Sequence, residues 1–416
     1  MQFATVCRGL FGLLAALLVS GPALAADTIK IGFMDPLSGP FANVGEHGAR
    51  EMILVIEAVN AAGGVLGGTR FELETFDTKS SPQEALISLK QMTDQGLRYF
   101  FMGNGSNVAI ALSDAVSKHN ARNPDQSILF LNYGAVDPSL TNDKCSFWHF
   151  RFDADTDMKM QALTNYVSGQ KQIKKVYLIN QDYAFGQGVS RAAKVMLAQK
   201  RPDVEIVGDD LHPIGKVKDF APYVSKIKAS GADSVITGNW GVDLSLLVKA
   251  AKESGLKADL FTYYSGVVGG PTAIGQAGED IRQVSMWHTN YGGKESDALT
   301  EAYRKRFPEV KDDFFFLSLK NGVEMLAKAM NQAKSTDPAK VAKALEGMKH
   351  QGITGEVELR ADNHQLIQAL FISSFVKAGG KGVKYDMERT GMGFKTEARI
   401  EAKDTALGTT CKMERP

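Results

Sequence analysis

The sequence predicts an α/β protein with two doubly wound lobes, each built on a parallel central sheet with helices on both faces. Two observations carry this prediction. Short β-type runs alternate with helical patterns along the chain, and this alternation occurs in two successive sets, before and after about residue 150. The chain without its first 25 residues is about 390 residues long, which is too long for one ordinary core.

In the first set, residues 28–33 read as a strand and residues 45–61 have the apolar spacing of a helix that stops at Gly63-Gly64. Ser81-Pro82-Gln83-Glu84 predicts a helix start, because serine caps the free amides and proline suits the first helical position. The set continues with strands at 71–75, 99–102 and 127–132 and a helix at 107–119.

The second set repeats the alternation. Its predicted helices are 156–167, 186–198, 219–229 and 242–254, and its predicted strands are 175–180, 204–207 and 234–238. Helices at 299–307, 315–332 and 339–348 and strands at 356–359 and 368–376 follow. Since two strands alone cannot form a domain, we expect this last part of the chain to return to an earlier lobe.

The first 25 residues have the features of a secretory signal peptide. Arg8 precedes an apolar run at 10–19, and the small-residue sequence Ala23-Leu24-Ala25 predicts cleavage after Ala25. The apolar run is too short to span a membrane, and no later stretch is long and apolar enough to do so. We therefore expect an exported protein.

Charge and motifs exclude several classes of function. Arg8 is the only charged side chain in the predicted leader, so the remaining chain has 47 basic and 47 acidic residues and no basic block, which argues against nucleic acid as a partner. The seven histidines lack metal-ligand spacing, and no nucleophile or phosphate-loop motif is present. We expect no catalytic residue, no cofactor and no metal, and hence no enzyme.

Two cysteines remain after removal of the leader and of Cys7. Cys145 and Cys411 form an even pair in an exported chain, which makes a disulfide plausible. Two separate thiols are the alternative, because the sequence does not show their geometry.

The segment Gly103-Asn104-Gly105-Ser106 follows a predicted strand and opens a helix. Glycines let the backbone approach a ligand, and the free amides of a helix N-terminus favour an anion. Ser106 adds a hydroxyl donor, so this segment is a candidate site for a ligand carboxylate. Ser106 as a plain helix cap is the alternative.

Aromatic residues recur in the other loops that follow strands, at Phe41, Tyr133, Tyr183, Phe185 and Trp240. Ligands of open α/β sheets bind at the carboxyl ends of the strands. A single aromatic residue is more often part of the core, but recurrence at the same structural position predicts the wall of a pocket.

Asp-Pro-Leu-Ser-Gly-Pro-Phe-Ala at 35–42 and Asn-Ala-Ala-Gly-Gly-Val at 60–65 resemble the opening of the leucine/isoleucine/valine-binding proteins. Segments 182–186 and 352–357 match later motifs of that family, and the resemblance covers the whole mature chain. It implies a type I periplasmic binding protein that captures a small amino acid or carboxylate for an ABC importer. It also implies inner-membrane permease subunits as partners, and we expect a monomer.

The resemblance further implies two lobes joined by three hinge crossovers. The first lobe is predicted to comprise residues 26–149 and 285–351, and the second residues 150–284 and 352–416. The hinges are expected near 150–152, 284–287 and 352–355, where closure on a ligand takes place.

Site residues follow from the same resemblance. Ser106 is expected to bind the ligand carboxylate, and Gly134-Ala135-Val136 to contribute backbone groups. Val136 stands where the family usually has threonine. The family's acid that pairs with an α-ammonium is expected within 263–266, where only Ser265 is found.

Phe185 and Trp240 are expected to cover the ligand, with Tyr183 close by. The predicted ligand-binding set is Phe41, Asn104, Ser106, Tyr133, Gly134, Ala135, Val136, Tyr183, Phe185, Trp240 and Ser265.

The missing acid leaves the ligand open. A buried ammonium without a carboxylate partner costs several kcal/mol. The ligand is therefore either an α-amino acid bound by another acid such as Asp182, or an aromatic or aliphatic carboxylate or amide without the amine. A sensory ligand receptor is a further alternative to transport, because the fold is reused in signalling.

Overall fold

A computed structural model describes residues 28–275 and 281–416. The predicted signal peptide, with Cys7, lies outside these residues. Within them, no helix combines the length and the apolar character that crossing a bilayer requires.

The first sheet is fully parallel and contains the first five strands. These are β1 (Thr28–Asp35), β2 (Arg70–Asp77), β3 (Tyr99–Met102), β4 (Leu129–Asn132) and β5 (His149–Arg151), in the order β2-β1-β3-β4-β5. Helices α1 (Ala42–Ala61), α2 (Pro82–Asp94) and α3 (Ser106–Arg122) connect the strands. The amide of Glu84 donates to the Ser81 hydroxyl at 3.5 Å, so α2 begins at the predicted cap.

The second set begins with α4 (Thr156–Ser168) and builds another parallel array. Its strands are β6 (Lys175–Gln181), β7 (Glu205–His212), β8 (Ser234–Thr237), β9 (Asp259–Thr262) and β10 (Ile281–Ser285). Its further helices are α5 (Ala184–Lys200), α6 (Ala221–Ser230), α7 (Gly241–Glu253) and α8 (Gly270–Ile274). The two sets agree with the predicted pair of α/β lobes.

The last part of the chain adds helices to the first half and strands to the second. It contains α9 (Lys294–Arg306), α10 (Leu317–Ala333), α11 (Pro338–Leu345), β11 (Lys349–Gly352), β12 (Gly355–Leu359), β13 (Leu366–Ile367), β14 (Leu370–Lys377), β15 (Met392–Ile400) and α12 (Ala402–Thr405). Helices α9 and α10 pack against α1, while β14 and β15 join the second sheet antiparallel, in the order β15-β14-β10-β9-β8-β6-β7. Strands β11, β12 and β13 form a small third sheet.

Six strands were not predicted, namely β5, β9, β10, β11, β13 and β15. Five of them have only two to five residues, which is too few for a period-two pattern to stand out. Strand β15 has nine residues, but it lies at the edge of the sheet and most of its side chains from Lys395 onward are exposed or half-buried. An edge strand of this kind lacks the apolar alternation on which recognition depends.

The chain passes between the two halves three times: after β5, after β10, where α9 and α10 return to α1, and before β14. Arg151 is fully buried at the first crossing and donates from Nε to Gln365 at 2.6 Å. Cys145 and Cys411 form a disulfide with a Cα–Cα distance of 5.6 Å. The tail after β15 therefore runs back to the loop before β5, while the exact lobe and hinge boundaries stay predictions.

Candidate functional site

A cleft lies between the carboxyl ends of the two large sheets. Loops that follow β3 and β4 form one wall, and loops that follow β6, β8 and β9 form the other. Eight predicted residues line it, namely Asn104, Ser106, Gly134, Ala135, Val136, Tyr183, Phe185 and Trp240.

The loop between β3 and α3 brings backbone close to the cleft. Gly105 has a φ of +105°, which a residue with a side chain rarely adopts, and a Cβ on Gly103 would lie 2.5 Å from the Tyr133 ring. Gly105 occupies the cap position of α3, so Ser106 is the first helical residue and does not act as a plain cap. Its hydroxyl hydrogen-bonds to no residue that the structure describes, and it lines the cleft.

Asp35, at the end of β1, holds this loop from behind. Its Oδ1 accepts the amides of Gly103 at 3.2 Å and Asn104 at 2.9 Å, and its Oδ2 accepts the phenol of Tyr133. Burial raises the pKa of the Asp35 carboxyl to about 7, although these hydrogen bonds oppose the rise. The loop that contains Gly103, Asn104 and Ser106 is thus held in place by a fully buried acid.

The opposite wall is aromatic. The indole Nε1 of Trp240 donates to the Tyr183 hydroxyl at 2.8 Å, and the Phe185 ring lies edge-on to Tyr264 with centroids 5.8 Å apart. All four side chains are at most 8% exposed. Flat apolar faces therefore enclose the space in front of Ser106.

Three predicted residues do not line the cleft. Phe41 packs against Trp240 of the opposite wall, with ring centroids 4.2 Å apart, and is not among the lining residues. Tyr133 turns its hydroxyl towards Asp35 and its ring towards Gly103. Ser265 is fully buried, where it accepts a hydrogen bond from the Thr262 hydroxyl at 2.7 Å.

No side chain that carries a formal charge lines the cleft in the described part of the chain. A buried ion pair lies directly behind Tyr264: the Nζ of Lys159 is 2.7 Å from Oδ2 of Asp153 and 3.1 Å from the Tyr264 hydroxyl. Burial raises the pKa of Asp153 and lowers that of Lys159, and the opposite charge counteracts each shift. Lys159 and Oδ2 of Asp153 are therefore bonded to each other and to Tyr264, whereas Oδ1 of Asp153 hydrogen-bonds no residue that the structure describes. Asp182 also lies outside the lining.

Six lining residues are absent from the predicted set, namely Val44, Gly103, Gly105, Tyr264, Val267 and Phe316. Gly103 and Gly105 belong to the predicted loop, and Tyr264 adjoins Ser265, so position after a strand could have identified them. Phe316 precedes α10, far along the chain, and no local pattern indicates that it reaches the cleft. Among residues 28–275 and 281–416, no group of three or more His, Cys, Asp or Glu is arranged to hold a metal ion.

Comparisons with known proteins agree with this architecture. The family described as "Periplasmic binding protein" matches residues 28–381. Leu/Ile/Val-binding protein homolog 4 of Brucella melitensis is 30% identical over 412 residues, which cover 97% of each chain. The leucine-, isoleucine-, valine-, threonine-, and alanine-binding protein of Pseudomonas aeruginosa is 25% identical over 83% of this chain and 90% of its own.

Solved structures share the fold. The closed conformation of the leucine-, isoleucine-, valine-, threonine-, and alanine-binding protein of Brucella ovis has a TM-score of 0.81 and 28% identity, covering 94% of this chain and 100% of that chain. A solute binding protein of an ABC transporter from Rhodopseudomonas palustris, in complex with p-hydroxybenzoic acid, has a TM-score of 0.77 and 20% identity over 90% and 98% of the two chains. The latter similarity concerns the fold alone.

Proposed function

The chain belongs to the periplasmic binding protein family, whose members are binding proteins and not enzymes, and we propose that it is the substrate-binding component of an ABC importer of the branched-chain amino acid type. It works as a monomer in the periplasm after cleavage behind Ala25. It captures a small carboxylated solute between its lobes and delivers the solute to inner-membrane permease subunits. Closure is favoured because the ligand makes contacts with both walls only in the closed state.

The composition of the cleft supports a ligand without an α-ammonium group. The N-terminus of α3 and the free hydroxyl of Ser106 can hold a carboxylate. An ammonium group would find no carboxylate among the lining residues, and its burial would cost several kcal/mol. Five aromatic lining residues favour a flat ligand body: Tyr183, Phe185, Trp240, Tyr264 and Phe316. We therefore propose an aromatic carboxylate as the ligand class.

A branched-chain amino acid is the second candidate. The names of the Brucella and Pseudomonas relatives favour it, since both are named for binding leucine, isoleucine and valine. The lining, with no acid for the ammonium group, argues against it.

Calorimetry on protein that has been unfolded, washed and refolded distinguishes the two. The panel contains benzoate, hydroxybenzoates, leucine, isoleucine, valine, aliphatic carboxylates and amides. We expect one-to-one binding of aromatic acids and a raised melting temperature, because such a ligand binds only the folded state. Binding of leucine in the absence of any binding of aromatic acids would overturn the proposed ligand class.

A further inference from the structure

A chain of hydrogen bonds links a buried acid to the wall of the cleft through two side chains. Oδ1 of Asp35 already accepts two backbone amides, and Oδ2 faces the hydroxyl of Tyr133. The amide nitrogen of Asn104 lies 3.1 Å from that same hydroxyl. Asp35 and Tyr133 are completely buried, so water does not replace any member of the chain.

The chemistry of Asp35 decides which groups donate and which accept along these hydrogen bonds. When Asp35 is ionised, above its pKa of about 7, its carboxylate can only accept, so the hydroxyl of Tyr133 must donate its single hydrogen to Asp35. The Tyr133 oxygen is then left as an acceptor, and Asn104 has to offer its NH₂ group to it. The carbonyl oxygen Oδ1 of Asn104 is consequently turned away from Tyr133.

Asn104 lines the cleft, and its Oδ1 accepts no hydrogen bond from any residue that the structure describes. This oxygen is not fully buried either, and it therefore stays accessible from the cleft. The cleft therefore contains a side-chain acceptor of fixed orientation near Ser106.

We infer that Asn104 is a specificity-determining residue that presents a hydrogen-bond acceptor to the ligand, with Tyr133 and Asp35 as the positioning residues that fix its orientation. Building on the proposed function, the ligand is then an aromatic acid that also carries a hydrogen-bond donor, such as an amino or hydroxyl group. A ligand without a donor leaves Oδ1 of Asn104 desolvated and unpaired, and sites of this kind discriminate strongly.

Binding of matched probes at pH 8.5, where Asp35 is ionised, tests the inference. Aminobenzoates carry a donor on the ring, whereas pyridinecarboxylates carry an acceptor in the ring, and all positional isomers of both are titrated beside benzoate. We expect at least one aminobenzoate to bind about 10- to 100-fold more tightly than benzoate, and the pyridinecarboxylates to bind no better than benzoate.

Asp35→Asn provides the decisive variant, because it reverses donor and acceptor along these hydrogen bonds without deleting any of them. The new amide oxygen still accepts the two backbone amides, but its NH₂ group donates to Tyr133. Tyr133 then donates to Oδ1 of Asn104, and the NH₂ group of Asn104 faces the cleft. We expect the preference to invert, with pyridinecarboxylates gaining and aminobenzoates losing affinity.

Tyr133→Phe is the second variant, since it removes the hydroxyl between Asp35 and Asn104 and frees the Asn104 amide to rotate. It should bring the aminobenzoate and pyridinecarboxylate affinities to within about threefold of each other. Asn120→Asp is the matched control at a buried amide outside the cleft, where both amide atoms bond Ile128, and it should leave the preference unchanged.

An unchanged preference in both Asp35→Asn and Tyr133→Phe overturns the inference. If leucine binds and no aromatic acid does, the proposed ligand class is wrong, but this result does not test the role of Asn104. The same comparison is then made between leucine, whose ammonium is a donor, and 4-methyl-2-oxopentanoate, whose keto oxygen is an acceptor. Equal affinity of wild-type protein for these two also overturns the role of Asn104.

Discussion

The rings of Phe41 and Trp240 pack against each other with their centroids 4.2 Å apart. Phe41 follows β1 of the first sheet, and Trp240 follows β8 of the second, so this contact joins the two walls of the cleft. Gly241, with a φ of +58°, keeps the neighbouring backbone within reach, since a Cβ there would lie 2.8 Å from the Phe41 ring. An aromatic pair thus joins the two walls of the cleft.

Phe41→Ala should weaken ligand binding by about 10-fold, because the pair stabilises only the closed state. Calorimetry with the tightest ligand of the panel measures the change. Phe307→Ala is the control, because Phe307 packs against Tyr303 outside the cleft. It should lower stability but leave the Kd unchanged. An unaltered Kd in Phe41→Ala would show that the pair does not contribute to closure.

Ser106→Ala should raise the Kd of a carboxylate ligand by about 10- to 100-fold, since a hydrogen bond to a charged group contributes about 1.5–3 kcal/mol. The melting temperature of the ligand-free protein should stay the same, because this hydroxyl bonds no described residue. Ser88→Ala is the control: the Ser88 hydroxyl donates to the Asp77 carbonyl at 3.0 Å. That variant should lose stability and keep its Kd. The opposite pattern contradicts a ligand-binding role for Ser106.

Lys159→Met should destabilise the protein by about 3–5 kcal/mol, because it leaves Asp153 buried without its counter-charge. The side chains of both residues are at most 3% exposed. The double variant Asp153→Leu/Lys159→Met should recover most of the loss, since replacing both charges removes the uncompensated one. Urea unfolding measures all three free energies. A single variant within about 0.5 kcal/mol of wild type would mean that the pair is not effectively desolvated.

The stability of the protein should depend on the protonation of Asp35. Its pKa rises from 3.8 to about 7 in the folded protein, so the folded state binds this proton more tightly than the unfolded chain does. The corresponding stability is fully present below pH 3.8 and is lost as the pH rises towards 7, by about 4 kcal/mol in total. The ionisable groups next to Asp35 are Tyr133 and Asp77, and Glu51, which is paired with His47, acts on Tyr133.

The free energy of unfolding of wild type minus that of Asp35→Asn, measured from pH 4 to pH 8, isolates this contribution. The difference should fall with rising pH and become flat above pH 7. A difference independent of pH, or one that rises, would mean that Asp35 is ionised throughout this range.

Much of the architecture could be predicted because each element carries its own signal. Helix α2 begins at its predicted cap, Ser81, and β3 has the predicted bounds, 99–102. The cleft residues of the strand-end loops could be predicted for a related reason: parallel strands end at the same edge of a sheet, so Ser106 and Val136 had to lie near one another.

The sequence by itself thus determined the two α/β sets, the loops that form the site and the lack of an acid at Ser265. Only the tertiary structure decided that Phe41 and Tyr133 lie behind the lining, that Phe316 reaches the cleft, and that Lys159 is paired with Asp153. The physical reason is that the periodicity of apolar residues indicates on which face of its own helix or strand a side chain lies. Which distant elements meet, and which atoms they leave without a partner, depends on the packing of the whole chain.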